Sequence, residues 1–246
     1  MPEVKAGDIK IYYEIHGEGE PLIILQWSGV EINSMNEFIT EFAKNYKVIA
    51  MDNRGAGRTD MPDIPYSIEL MAEDTVELLD EIGIKSAHFL GISMGSRIAQ
   101  VIAVKYPEKV KSLILNVAAA RYPDSLKSIT DISLETPELR EKMLQESGIM
   151  FIQRYPPNPE SFLRQVKAVS DFDGREHLSQ IKVPTLIING TRDHFAPIEL
   201  AEELTEGIKD SKLILIEGKH FFAAIEPELL VEPALEFLEE VRENSF

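Results

Sequence analysis

Residues Gly91-Ile92-Ser93-Met94-Gly95 fit the pattern G-x-S-x-G and lie between a short apolar run and a helix-periodic segment. A strand-to-helix turn of this kind must be tight. Glycine at 91 and 95 lets neighbouring backbones approach closely, and the strained turn lifts the Ser93 hydroxyl clear of the sheet. It also sets Ser93 at a helix N-terminus, where partial positive charge stabilises a developing anion. A serine hydroxyl is a poor nucleophile near neutral pH, so it needs a base, and the base needs an acid to orient it.

Open parallel sheets carry their functional groups in loops beyond the carboxyl ends of the strands. Two such loops are visible. Ile188-Asn189 is followed by Gly190-Thr191-Arg192-Asp193-His194-Phe195, and Ile216 by Glu217-Gly218-Lys219-His220-Phe221-Phe222. Asp193 and His220 are therefore expected on the same sheet edge as Ser93. The remaining histidines lack that placement: His194 reads as a surface loop residue, His88 as a packed strand residue, and His16 (in a hairpin turn) and His177 as solvated. A carboxylate after the strand ending at Leu115 would rival Asp193, but Asn116 stands there.

The elements that must position these groups alternate. Ile9–Ile15, Leu22–Leu25, Val48–Met51, Ala87–Leu90, Ser112–Leu115, Thr185–Ile188 and Lys212–Ile216 read as strands. Helical periods cover Asn36–Lys44, Ser67–Ile82 (Ser67 as N-cap), Met94–Lys105, a stretch from Ile198, and Pro227–Arg242. Alternation of this kind predicts an α/β fold with a mostly parallel central sheet and helices on both faces. Residues 1–119 and 182–246 form the expected core. The rhythm breaks over residues 120–181, which read as a short helical cap insertion. There Phe151, Tyr155, Phe162, Phe172, Met143 and Met150 are candidates to roof the pocket.

Composition narrows the class of partner. The 246 residues hold 42 Asp and Glu against 25 Lys and Arg, a formal charge of −17. Such a field repels nucleic-acid phosphates and anionic membranes and favours neutral or cationic small molecules. With no cysteine, thiolate metal sites and a cysteine nucleophile are excluded. No secretory h-region and no membrane-length apolar run are present, so the expectation is a soluble, cytoplasmic protein. Gly55-Ala56-Gly57 lacks the helix-opening context of a dinucleotide site and reads as a structural turn.

Taken together, these motifs resemble the α/β-hydrolase superfamily, close to its small esterases, lactonases and cofactor-free haloperoxidases. Asp52-Asn53-Arg54-Gly55-Ala56-Gly57-Arg58-Thr59-Asp60 resembles the family's D-x-R-G-x-G-x-S-D loop, and Pro107-Glu108-Lys109-Val110 its Y-P-E-R-V stretch. The resemblance implies the α/β-hydrolase fold, with Ser93 as nucleophile, His220 as general base and then general acid, and Asp193 orienting His220. The amide of Met94 is the expected first oxyanion donor. Alignment on the strand end puts the second at Ser28, in a loop where Gln26-Trp27 replaces the usual His-Gly. Trp27 either walls the pocket or packs under the loop; Phe195 and Phe221 are further pocket candidates.

The implied reaction is hydrolysis of small or medium carboxylic esters through an acyl-enzyme, with no metal or organic cofactor. A lactonase, a carbon–carbon bond hydrolase and a cofactor-free perhydrolase share the same triad. A non-catalytic ligand-binding protein of this fold is the alternative from another class. Oligomeric state is not legible.

Overall fold

The computed structural model describes residues 2–147 and 153–244. Eight strands, β1 (Glu3–Ala6), β2 (Ile9–His16), β3 (Glu20–Leu25), β4 (Tyr46–Met51), β5 (Ala87–Ile92), β6 (Val110–Asn116), β7 (Thr185–Gly190) and β8 (Ser211–Ile216), form one sheet. Their order is β1-β2-β4-β3-β5-β6-β7-β8. The first two strands run antiparallel to their neighbours, and β3 to β8 are mutually parallel.

Two features depart from the sequence reading. β1 carries one buried residue in four, too little alternation to announce a strand. His16 is also not at a hairpin: β2 pairs with β4, and β3 lies beyond β4 against β5. A Gly-rich link cannot distinguish these arrangements. The pairing follows from β3, whose last four residues are all buried and therefore need neighbours on both edges and cover on both faces.

Nine helices are seen among the described residues: α1 (Asn36–Phe42), α2 (Ile68–Glu81), α3 (Met94–Lys105), α4 (Asp124–Ser133), α5 (Pro137–Ser147), α6 (Pro159–Asp171), α7 (Ile198–Gly207), α8 (Phe222–Ile225) and α9 (Glu228–Glu243). Alternate strand residues feed two cores. Ile23, Leu25, Phe89, Leu113 and Leu115 pack with α2, α3 and α7; Leu22, Ile24, Leu90, Ile114 and Ile188 pack with α1, α8 and α9. Two helices show why they start where they do. The Ser67 hydroxyl caps α2 by accepting the Leu70 N–H at 3.1 Å, and Asn158 caps α6 by accepting the Ser161 N–H at 2.8 Å. Helices α4 to α6 lie between β6 and β7 in the chain.

A buried ion pair ties the parallel half to the first strands. Arg54, 1% exposed, donates to both carboxylate oxygens of buried Asp74 at 2.6 and 2.8 Å and to Asp8 at 2.8 Å. Among the described residues no helix is long and apolar enough to cross a membrane.

Candidate active site

Strand β5 runs into α3 through Ser93, whose backbone sits at φ 52°, ψ −108°, a region costly for any non-glycine residue. Close packing holds it there. The Ser93 N–H donates to the Asn116 carbonyl at 3.0 Å, and the Gly95 N–H to the Gln26 carbonyl at 3.1 Å. A side chain at Gly95 would overlap the Leu25 carbonyl, and one at Gly91 would overlap the Gly95 carbonyl. Val117, next to Asn116, is also at positive φ (44°). Two strained residues therefore meet at the strand ends, where the surrounding hydrogen bonds over-determine them.

Behind the elbow lies Arg97, 3% exposed, which donates to the Ser93 carbonyl at 3.4 Å and the Arg121 carbonyl at 3.3 Å. Burial pulls its pKa down to about 10, so it remains a cation at neutral pH.

The loops after β7 and β8 deliver the other two groups. Thr191 N–H to Ile216 carbonyl and Arg192 N–H to Gly218 carbonyl, both 2.8 Å, lock the two loops side by side. Asp193 is buried, and its Oδ1 accepts the Phe195 and Ala196 N–H groups at 2.8 and 2.9 Å. Its Oδ2 lies 2.8 Å from His220 Nδ1, and His220 Nε2 lies 2.9 Å from Ser93 Oγ. An ionised carboxylate can only accept, so Nδ1 carries the proton and Nε2 is free to accept from the Ser93 hydroxyl. The three residues, far apart in sequence, form one continuous hydrogen-bonded chain. It can take a proton from Ser93 and return it to a leaving group.

The loop after β3 lies against this site. Gln26 is fully buried; its Nε2 donates to the Met51 carbonyl at 2.6 Å and its Oε1 accepts from Asn53 at 3.2 Å. It is thus a strut to the end of β4. Ser28 Oγ sits 3.5 Å from Met94 Sδ, which puts the two expected oxyanion residues side by side. Trp27 is half-buried against the α1/α9 core, with its ring 6.3 Å from that of Phe221. Phe195 and Phe221, 49% and 48% exposed, flank the His220 ring at 5.2 and 5.1 Å.

The other histidines fall elsewhere. His88 is buried between Ser112 Oγ (2.8 Å) and Glu20 (3.0 Å), His16 pairs with Glu14, His177 with Gln180, and His194 is exposed. Of the proposed roof residues, Phe162 is buried and Tyr155 lies over the Arg58 guanidinium at 4.9 Å. Phe172 lines a cavity of about 350 Å³ with Val101, Val104 and Leu178, whose walls include no member of the Ser93–His220–Asp193 chain. Met150, Phe151 and the Met143 side chain lie outside the described residues.

Sequence reasoning missed a set of cap residues. Gln165 and Gln153 bind Gly29 and Glu31 of the loop after β3, and Glu31 accepts the Arg154 N–H, each across more than 120 residues of chain. A signal existed for one: Gln165 interrupts the buried stripe of α6 formed by Phe162, Ala168 and Val169.

Comparison with known proteins agrees with this architecture. The sequence model of the family described as alpha/beta hydrolase fold matches residues 15–151. The protein named "Putative carbamate hydrolase RutD" of Azorhizobium caulinodans is 30% identical, over 98% of this chain and 99% of its own length. 3-Oxoadipate enol-lactonase 2 of Acinetobacter baylyi is 26% identical over 91% of each chain. Among solved structures, the esterase EaEST of Exiguobacterium antarcticum is 28% identical with a TM-score of 0.81, covering 96% of this chain and 98% of that one.

Proposed function

The chain belongs to the alpha/beta hydrolase fold family and is a hydrolase, and from that premise we propose that it cleaves small to medium carboxylic esters through a Ser93 acyl-enzyme. One observation carries the reading: the unbroken chain from Ser93 Oγ to His220 (2.9 Å) to Asp193 (2.8 Å). Ser93 Oγ attacks the ester carbonyl carbon while its proton passes to His220 Nε2. The resulting imidazolium is held by the Asp193 carboxylate. Collapse of the tetrahedral intermediate breaks the carbon–oxygen bond, and the alcohol leaves with the proton from Nε2. Water then attacks the acyl carbon, gives its proton to His220, and frees the acid and Ser93.

Negative charge on the tetrahedral oxygen needs donors already in place. The N–H groups of Met94, at the N-terminus of α3, and Ser28 fill that role in this reading, each worth on the order of 3 kcal/mol of barrier. Because His220 serves the leaving group, the alcohol portion passes between Phe195 and Phe221. These rings favour apolar or aromatic alcohols, and their exposure leaves the far end of that group unrestricted. The charge of −17 disfavours anionic esters.

A lactone is the second reading, favoured by the likeness to an enol-lactonase over nine-tenths of the chain. The test is a panel of p-nitrophenyl, benzyl and methyl esters, matching lactones and an aryl carbamate, run on wild type and Ser93→Ala. Ester turnover lost in Ser93→Ala, with covalent labelling of wild type by a fluorophosphonate, is the expected result. Labelling with turnover of lactones or carbamates but not esters would move the assignment to that class. No labelling and no turnover would reject acyl-enzyme chemistry.

A further inference from the structure

The cap grips the loop that carries Ser28 through one fully buried amide. Gln165, on α6, is 0% exposed. Its Oε1 accepts the Gly29 N–H at 2.6 Å, and its Nε2 donates to the Arg54 carbonyl at 2.7 Å. The two partners fix which end of the amide is which, since only an oxygen can take the Gly29 hydrogen. At the far end, Arg54 is itself held by buried Asp74 and by Asp8. Gln165 therefore ties Gly29 to an anchored point of the core.

Other contacts hold the same stretch. Gln153 Nε2 donates to the Gly29 carbonyl and its Oε1 accepts the Glu31 N–H, both at 2.7 Å. Glu31 Oε1 in turn accepts the Arg154 and Tyr155 N–H groups at 2.9 and 3.1 Å. Within the loop, the Trp27 carbonyl accepts the Val30 N–H at 3.2 Å. The Trp27–Ser28 peptide, whose hydrogen is the Ser28 N–H, is thus fixed on its carbonyl side by Val30 and one residue later by Gln165. The Ser28 N–H has no acceptor among the described residues, as a donor reserved for substrate requires.

We propose that Gln165 is a positioning residue for the oxyanion hole, aiming the Ser28 N–H by clamping Gly29 to the core from the cap. The proposal rests on the acyl-transfer reading and adds that the cap takes part in the chemical step as well as in enclosing substrate. Gln165, buried on α6 along with Ser161 and Ser170, thereby has a function that packing would not require.

The experiment compares Gln165→Met, which keeps length and loses both hydrogen bonds, with Gln165→Glu, which keeps the acceptor facing Gly29. Measured are kcat and KM for a p-nitrophenyl ester, Ki for a trifluoromethyl ketone, and the rate of Ser93 phosphonylation by a fluorophosphonate. Rates are normalised to the labelled fraction, so misfolded protein does not count. Removing an oxyanion donor outright lowers kcat by about 10²–10³-fold, and misaiming it should lower kcat in Gln165→Met by roughly 10- to 100-fold. KM should stay within about threefold, and the ketone Ki and phosphonylation rate should worsen by the same factor as kcat/KM, because each places an oxyanion in the hole. Gln165→Glu should stay within about fivefold of wild type, since a carboxyl kept neutral by burial accepts the Gly29 hydrogen with one oxygen and donates to the Arg54 carbonyl with the other.

A Gln165→Met enzyme with kcat within twofold of wild type overturns the proposal. So does a loss confined to KM, or Gln165→Glu as impaired as Gln165→Met. If Gln165→Met does not fold, the Gln165→Glu result and its ketone Ki decide. If wild type is phosphonylated but turns over no ester, the ester assignment fails alone, and the phosphonylation rates still judge Gln165.

Discussion

Adding one methyl group at Gly95 creates a conflict whose size the structure sets. A Cβ there would overlap the Leu25 carbonyl oxygen, lie 2.5 Å from its carbon and 2.8 Å from Leu25 Cβ. Carbon atoms pack at about 3.5–4.0 Å, so the end of β3 and the first turn of α3 must separate by roughly 1 Å. That displacement stretches the 3.1 Å bond from the Gly95 N–H to the Gln26 carbonyl, and it moves Ser28 away from Met94. Overpacking of this kind costs about 1–3 kcal/mol, which for a chain of this length lowers Tm by about 2–4 °C per kcal/mol. Misplacement of catalytic groups by 1 Å costs on the order of 10²-fold in rate. Gly95→Ala should therefore lose about 10²-fold in kcat/KM for p-nitrophenyl acetate and melt about 2–12 °C lower by calorimetry. Gly83→Ala is the control: Gly83 has φ 73° but nothing within 4 Å of the added carbon. It should lose about 1 kcal/mol through backbone strain and no activity. A Gly95→Ala enzyme within threefold of wild type, with unchanged Tm, would refute the argument that β3 and the elbow are in hard contact.

Asp193→Asn presents an amide to His220 Nδ1 and frees the imidazole from its required tautomer, so kcat should fall on the order of 10⁴-fold with little change in Tm; full activity would remove Asp193 from the proton relay. Asp74→Asn leaves the Arg54 charge buried beside only the exposed Asp8, and should cost about 3 kcal/mol in urea unfolding. Burial holds the His88 pKa below its ordinary 6.5, so as pH falls the unfolded chain takes up this proton first and stability declines. The Glu20 carboxylate, held low chiefly by its hydrogen bond to His88, loses its contribution only below its ordinary 4.5, so the two windows are separate. His88→Gln should flatten the urea-measured stability as pH falls below 6.5, and an unchanged slope there would assign the proton uptake to another group. Phe195→Ala and Phe221→Ala should each reduce the preference for benzyl over methyl esters by about 2- to 10-fold, the worth of an aromatic contact; equal preference in all three proteins would remove the rings from the leaving-group path.

Much of the fold was legible because its signals are local. The strand-to-helix turn at Ser93, the cap at Ser67, and the buried runs at 22–25, 48–51 and 87–90 each depend on a few adjacent residues. α3 was read as Met94–Lys105 and is found there, since glycine and serine mark its start and its periodicity is unbroken. The order of the strands was less legible. The link between β2 and β3 suits a hairpin as well as it suits a strand that leaves for the middle of the sheet.

Sequence by itself marked Ser93, Asp193 and His220, because each follows a strand end that local patterning marks. Only the tertiary structure decided that Ser93, His220 and Asp193 lie within 2.9 Å of one another in succession, that β3 sits between β4 and β5, and that Gln165 reaches Gly29 across 136 positions of chain. The physical reason is range. Periodicity and turn chemistry are carried by neighbours in sequence, whereas a buried amide finds its partners only where separate layers of the fold close on each other, and no local pattern encodes which layers those will be.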